Sequence, residues 1–141
     1  MNRYLATLIA GLLGGCAFGP AAVPTPAAGT EFDGQYVGQS TLTRGGGYVC
    51  GTPGFPSSLV VRDGRFAYPF EVNPPRTAPV PVQVAADGTF AGQMLYATEE
   101  YWPLYQIRNA WVTISGRITG GTLDATIVDY RCTRRLTAQR T

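Results

Sequence analysis

The chain has 141 residues, with 11 arginines, no lysine, no histidine and 9 acidic residues, and carries a net charge of +2. This weak charge does not favour nucleic-acid binding. The missing residue types exclude Ser-His-Asp and Cys-His nucleophilic systems, histidine-ligated metals and Schiff-base lysines. Many glycines (18) and prolines (11) indicate strands joined by turns. We therefore expect a protein that is not an enzyme and holds neither a cofactor nor a metal.

The N-terminus has the order of parts found in an export signal. Residues 1–3 include one arginine, and residues 4–13 are apolar or small. This run has the length of a signal-peptide core and is too short to span a membrane as a helix, which takes about 20 residues. It ends in Leu13-Gly14-Gly15-Cys16, which resembles the lipobox of bacterial lipoproteins.

That resemblance implies removal of residues 1–15 as a lipoprotein signal peptide and acylation of Cys16. Two or more acyl chains anchor a protein stably to a membrane. Ala17, where inner-membrane lipoproteins carry Asp, is similar to the pattern of outer-membrane lipoproteins. We therefore expect a lipid anchor in the outer membrane. The alternative is ordinary secretion, since Gly15, Cys16 and Ala17 also fit a conventional cleavage site, and the protein would then be periplasmic or secreted.

Residues 16–31 combine the lipidated cysteine with a stretch rich in proline and alanine, and residues 32–141 form the domain. Such a composition is typical of a semi-extended linker. Of the three cysteines, lipidation of Cys16 leaves one pair, Cys50 and Cys132. Export permits a disulfide bond between them, and closing so long a loop stabilises the fold by about 4 to 5 kcal/mol in the chain-entropy model. The alternative is two buried free thiols.

Alternating apolar residues predict about eight strands in the domain. They cover residues 35–43, 58–62, 65–70, 80–84, 89–96, 110–119, 122–128 and a last segment with Cys132 and Leu136 on one face. Asp63-Gly64 and Gly120-Gly121 are typical two-residue hairpin turns, and Pro81 indicates an edge or the end of a strand. Sequential hairpins favour an all-β antiparallel meander, closed or strongly rolled into a barrel, with a β-sandwich as the alternative.

Residues 97–109 form the longest segment without alternation, and long loops are often functional. This segment contains Tyr101, Trp102, Tyr105 and Arg108, and aromatic and arginine side chains frequently anchor protein interfaces. We expect these four residues to contact a partner. The alternative is that the aromatic side chains fold over one end of the barrel as a lid.

Four of the eleven arginines lie near the C-terminus, at positions 131, 134, 135 and 140. Arginine binds phosphate groups well, so an anionic glycolipid is one candidate partner. In a strand, however, Arg134 and Arg135 point to opposite faces. A charged edge strand that resists aggregation explains the same residues.

The sequence favours a non-enzymatic binding or structural module of the cell envelope, with another envelope protein or an anionic glycolipid as its partner. Two alternatives remain open. One is a lipocalin-like carrier of a small apolar ligand, which needs an open interior lined by Phe66, Tyr68, Phe70, Phe90 and Met94. The other is a secreted or periplasmic protein inhibitor.

Overall fold

A computed structural model describes residues 27–46, 50–72, 76–100 and 106–141. These residues form eight antiparallel strands. The strands are β1 (Gly34–Arg44), β2 (Gly54–Val61), β3 (Arg65–Glu71), β4 (Thr77–Val84), β5 (Thr89–Glu100), β6 (Gln106–Thr119), β7 (Thr122–Val128) and β8 (Thr133–Arg140). The all-β prediction and the strand count are confirmed. No helix in this described part is long and apolar enough to cross a membrane.

All eight strands belong to one sheet, in the order β2-β1-β8-β7-β6-β5-β4-β3. The sheet rolls into a nearly closed barrel, so the predicted barrel is confirmed and the sandwich is not adopted. As expected for a barrel, the first and last strands are neighbours, with Ser40 opposite Leu136. The two edges of the sheet are β2 and β3, which follow each other in sequence and are joined by the Asp63-Gly64 turn.

The core consists of the inward-facing residues of all eight strands. Tyr36, Leu123 and Leu136 are fully buried, and the rings of Phe66 and Phe90 meet edge to face with centroids 5.2 Å apart. Burying one such side chain contributes about 1.5 to 3 kcal/mol. Core residues Tyr68 and Ile127 also line a cavity at the end of the barrel away from the Asp63-Gly64 turn.

Two features close the end of the barrel at the Asp63-Gly64 turn. Asp63 and Gly64 both have positive φ, 50° and 64°, as a type I′ turn requires, and the carboxylate of Asp33 accepts hydrogen bonds from both of their amides. The segment before β1 adds a cover, because Ala28 is buried and its amide donates to the carbonyl oxygen of Val84. Contacts with the barrel thus begin before residue 32.

The hairpin of β5 and β6 is longer than the sequence indicated. We expected a loop over residues 97–109, but β5 runs to Glu100 and β6 begins at Gln106, with Thr98 opposite Arg108. That prediction was wrong. On either side the pairing with the neighbouring strand stops earlier, since β4 pairs with β5 only up to Gly92 and β7 pairs with β6 only from Thr113. The remainder, residues 93–100 and 106–112, forms a two-stranded ribbon, called the ribbon below.

Candidate binding site at the open end of the barrel

The barrel opens between β2 and β3, and two prolines remove backbone donors along this seam. Arg62 and Arg65 donate backbone hydrogen bonds to each other, both at 2.9 Å. In an antiparallel ladder, hydrogen-bonded pairs recur at every second residue, so the next pairs along this seam are Val60 with Ala67, Ser58 with Pro69, and Pro56 with Glu71. Proline has no N–H to donate. Beyond Arg62 and Arg65, the described residues of β2 and β3 are not paired with each other.

A second gap, also lined by two prolines, opens between β4 and β5. The amide of Ala85 donates to the carbonyl oxygen of Thr89, and counting by two along the ladder brings Pro81 opposite Gln93 and Pro79 opposite Leu95. Both prolines lack the donor that would face β5. The pairing of β4 with β5 accordingly ends at Val82 and Gly92. The prediction that Pro81 lies at an edge or a strand end was wrong, because Pro81 lies within β4 and β4 lies between β3 and β5 in the sheet.

Between the two gaps lies one end of the β3–β4 hairpin, residues 67–71 and 77–81, called the flap below. Its two strands pair with each other and with neither neighbour. Next to the flap is a cavity of about 480 Å³, within the range of about 300 to 1,000 Å³ that is usual for ligand sites. Its lining includes Phe55, Tyr68, Phe70, Tyr96, Tyr130 and Arg134.

Aromatic rings connect the flap to β5 across this cavity. Phe70 of the flap and Tyr96 of β5 meet edge to face, with ring centroids 5.0 Å apart. Burial raises the pKa of Tyr96, and the nearby carboxylate of Asp129 raises it further. Burial also raises the pKa of Tyr68, partly offset by the hydroxyl of Ser40. The cavity is therefore walled by partly buried rings whose phenols stay protonated at neutral pH.

The wall opposite the flap is tied down. Cys50 and Cys132 form a disulfide bond with 5.8 Å between their Cα atoms, which confirms the predicted pairing and joins the β1–β2 loop to the β7–β8 loop. Arg134 reinforces this tie, because its Nη2 donates to the carbonyl oxygens of Cys50 and Thr52 and its guanidinium lies over the ring of Phe55. The cavity thus has one wall fixed by the disulfide bond and by Arg134. Its other wall, the flap, is not paired with the strand on either side.

Two charged residues of this fixed wall, Asp129 and Arg134, form hydrogen bonds with the backbone of the loops. Asp129 Oδ1 accepts hydrogen bonds from the backbone amides of Arg131 and Cys132. Nη1 of Arg134 is buried and has no hydrogen-bond partner among the residues that the structure describes. The described residues contain no cluster of ligating side chains suited to a metal ion.

The predicted interface residues are only partly described by the structure. Tyr101, Trp102 and Tyr105 lie outside the described residues, whereas Arg108 is exposed on the ribbon. Exposed apolar side chains occur elsewhere on the outer face of the same ribbon. Leu95 and Trp111 are cross-strand partners there, and their side chains are 49% and 54% exposed.

The C-terminal arginines do not gather into one patch. Arg134 points into the cavity at the open end of the barrel, whereas Arg135 points outward and forms a bidentate ion pair with Asp124. Their predicted opposite orientation is confirmed. Arg140 lies at the closed end, where its Nη1 donates to the carbonyl oxygen of Glu31. The guanidinium of Arg131 stacks on the ring of Tyr130.

The sequence offered a signal for this site that the alternation of apolar residues concealed. Pro56, Pro69, Pro79 and Pro81 all fall within strands, and a proline within a strand indicates an edge. Four such positions in three consecutive strands point to more than one interruption of the sheet. The aromatic lining could not be recognised in the same way, because Phe55, Tyr96 and Tyr130 are far apart in the sequence.

No family model, curated protein or solved structure matches this chain.

Proposed function

We propose that this protein is an exported, lipid-anchored envelope protein whose β domain binds a partner, without catalysis, at the open end of its barrel. The cavity of about 480 Å³ between the flap and the tied loops is the observation that carries the binding role. The anchor rests on the lipobox-like residues that end in Cys16, together with the even pair of cysteines that remains. The outer membrane is the proposed location.

The surroundings of the cavity support binding rather than catalysis. Its walls combine aromatic rings with hydroxyl groups, a mixture usual in sites that hold ligands by contact and orient them with a few polar groups. Asp129 and Arg134, two charged residues of the lining, both form hydrogen bonds with backbone groups of the loops at this end of the barrel. An acid or base in a catalytic role has to reach the substrate instead.

The anchor is tested by the intact mass of protein extracted from membranes. We expect the mass of residues 16–141 plus acyl chains, with a gain of about 2 Da on reduction of the one disulfide. A Cys16→Ala variant should lose the acyl mass and leave the membrane fraction. An unmodified mass for the parent protein would contradict the anchor and favour a periplasmic or secreted domain.

The binding role of the cavity is tested with a fluorescent apolar probe, anilinonaphthalene sulfonate. Thr98 lines the cavity and Thr113 is exposed on the outer face of β6, so Thr98→Phe and Thr113→Phe add the same ring inside and outside. We expect the probe to brighten with the parent protein and with Thr113→Phe, and much less with Thr98→Phe. Equal signals from the two variants would contradict binding in the cavity.

A carrier of small apolar ligands is a second candidate, favoured by the volume of the cavity. Phe66 and Phe90 pack in the core, so such a ligand would occupy only the mouth, against Tyr68 and Phe70. Extraction of the purified protein with organic solvent distinguishes this candidate. A carrier releases a stoichiometric small molecule, whereas a receptor for a macromolecule does not.

A further inference from the structure

We propose that the free edge of β5 accepts an extended peptide segment of a partner protein as an added strand, in the gap that Pro79 and Pro81 keep open. This inference rests on the proposed binding role of the same end of the barrel and names the chemistry of the partner. The partner supplies backbone donors where β4 has none. Its segment is free of proline at the paired positions.

The backbone of β5 provides the first argument. Hydrogen-bonded pairs alternate along a strand, and the ladder that starts at Ala85 and Thr89 directs the N–H and C=O groups of Gln93, Leu95 and Ala97 towards the gap. In the part of the chain that the structure describes, no strand pairs with these residues on that side. β5 contains no proline. It therefore presents a regular row of donors and acceptors, which an extended polypeptide matches.

The side chains on the two faces of β5 provide the second argument. Tyr96 and Thr98 point into the cavity, whereas Leu95 points outward beside Trp111. Side chains of an added strand alternate in the same way. Every second residue of the segment enters the cavity next to Tyr96, and the others cover Leu95. In this mode of recognition, backbone bonds supply affinity and the alternate side chains supply specificity.

The flap can move aside for such a segment without loss of strand pairing, although the buried side chains of Tyr68 and Val80 become partly exposed when it does. It is bonded to neither neighbouring strand along its length, so moving it away from β5 breaks no ladder of hydrogen bonds. The edge-to-face contact of Phe70 with Tyr96 is the described ring contact that the segment replaces.

The probe for the test is a synthetic peptide with the sequence of residues 77–81 in which both prolines are replaced by threonine, since β4 itself already pairs with β5 at Val82–Val84. Its register on β5 is that of β4 continued, so its donors meet Gln93 and Leu95. We expect it to bind and to slow hydrogen exchange at the amides of Gln93, Leu95 and Ala97. The amides of Met94 and Tyr96 already face β6 and should change little. The peptide with its natural prolines is the matched control and should bind at least about tenfold more weakly, since two paired donors are lost.

Variants of the protein separate the backbone from the side chain. Leu95→Pro removes the N–H that faces the gap and leaves the bonds to β6, whereas Leu95→Ala removes only the side chain. We expect Leu95→Pro to lose about tenfold more affinity for the peptide than Leu95→Ala. A Pro79→Thr/Pro81→Thr variant tests the same point without altering β5. Its own β4 should pair with β5 and exclude the peptide.

Three results of the peptide experiments would overturn the inference, and a fourth would come from the protein alone. The three are the absence of peptide binding, equal affinity of the two Leu95 variants, and binding without protection of the three amides. A second copy as the occupant would appear as a dimer of the peptide-free protein by light scattering, and would also overturn it. If the fluorescent probe still binds in a manner sensitive to Thr98→Phe, the binding role of the cavity stands and only the added strand is refuted.

Discussion

Pro69 and Pro79 lie directly opposite each other in the pairing of β3 with β4, yet their ring nitrogens face opposite gaps. Bonded and non-bonded pairs alternate along an antiparallel ladder. Tyr68 and Phe70 of β3 form the hydrogen-bonded pairs with β4, so the Pro69–Pro79 pair between them is a non-bonded one. Pro69 therefore faces β2 and Pro79 faces β5. This pair thus removes one backbone donor on each side of the flap.

We expect the flap to open more readily than the rest of the barrel. The amide of Tyr68 is bonded within the flap, whereas that of Ala125 lies between β6 and β8 in the middle of the sheet. Amides exchange through local openings, whose free energy is low where few neighbours hold a segment. Native-state hydrogen exchange should therefore be faster at Tyr68 than at Ala125 under all native conditions. Identical protection of the two amides would show that the flap opens only with global unfolding.

Removing the disulfide should destabilise the domain and loosen the fixed wall of the cavity. Cys50 and Cys132 are 82 residues apart, and loss of such a bond typically costs about 2 to 5 kcal/mol. The Cys50→Ser/Cys132→Ser variant should show this loss in the free energy of unfolding measured with a denaturant. The parent protein in reducing conditions is the control and should approach the same value. A loss below about 1 kcal/mol would mean that Arg134 and the neighbouring strands hold the rim unaided.

The sequence was sufficient to predict the eight strands because most of the barrel buries one face of each strand. Turn chemistry was equally direct, since Asp63-Gly64 adopts the two positive φ angles that its residues indicate. The position of the opening was not accessible in this way. The strongest hairpin signal of the sequence lies between β2 and β3, yet these two strands separate beyond the turn. A turn fixes only the first pair of residues, and prolines further along the two strands remove later backbone donors.

The outer part of the ribbon, residues 97–100 and 106–109, was missed for a physical reason. Beyond Gly92 and before Thr113 no described strand pairs with the hairpin on either side. Its outer part is therefore not covered by a complete core, and apolar alternation is weakly selected there. Trp111 and Leu95 are outward and apolar in the same region. Alternation predicts strands only where one face is buried, and it fails where a strand extends past the barrel.

Arg134 and Arg135 should differ sharply in their effect on stability, although they are adjacent and carry the same charge. Arg134 donates to two backbone carbonyls of the rim, whereas Arg135 pairs with Asp124 where both side chains are largely exposed. We expect Arg134→Gln to lower the free energy of unfolding by about 1 to 3 kcal/mol, as for hydrogen bonds of a charged donor. Arg135→Gln, the matched control, should have a much smaller effect, because exposed ion pairs contribute little. Equal losses in denaturant unfolding would contradict the structural role of Arg134.

Stability should fall in alkaline solution, and buried tyrosines should cause part of the fall. Burial raises the pKa of Tyr36, Tyr68 and Tyr96 in the folded protein, whereas in the unfolded chain they ionise near pH 10. Above that pH the unfolded state loses protons that the folded state retains, so the free energy of unfolding decreases as the pH rises towards the raised pKa values. Denaturant unfolding at several pH values above 10 should show this decrease, and Tyr96→Phe should make it shallower. A slope unchanged by Tyr96→Phe would mean that Tyr96 ionises in the folded barrel as it does in the unfolded chain.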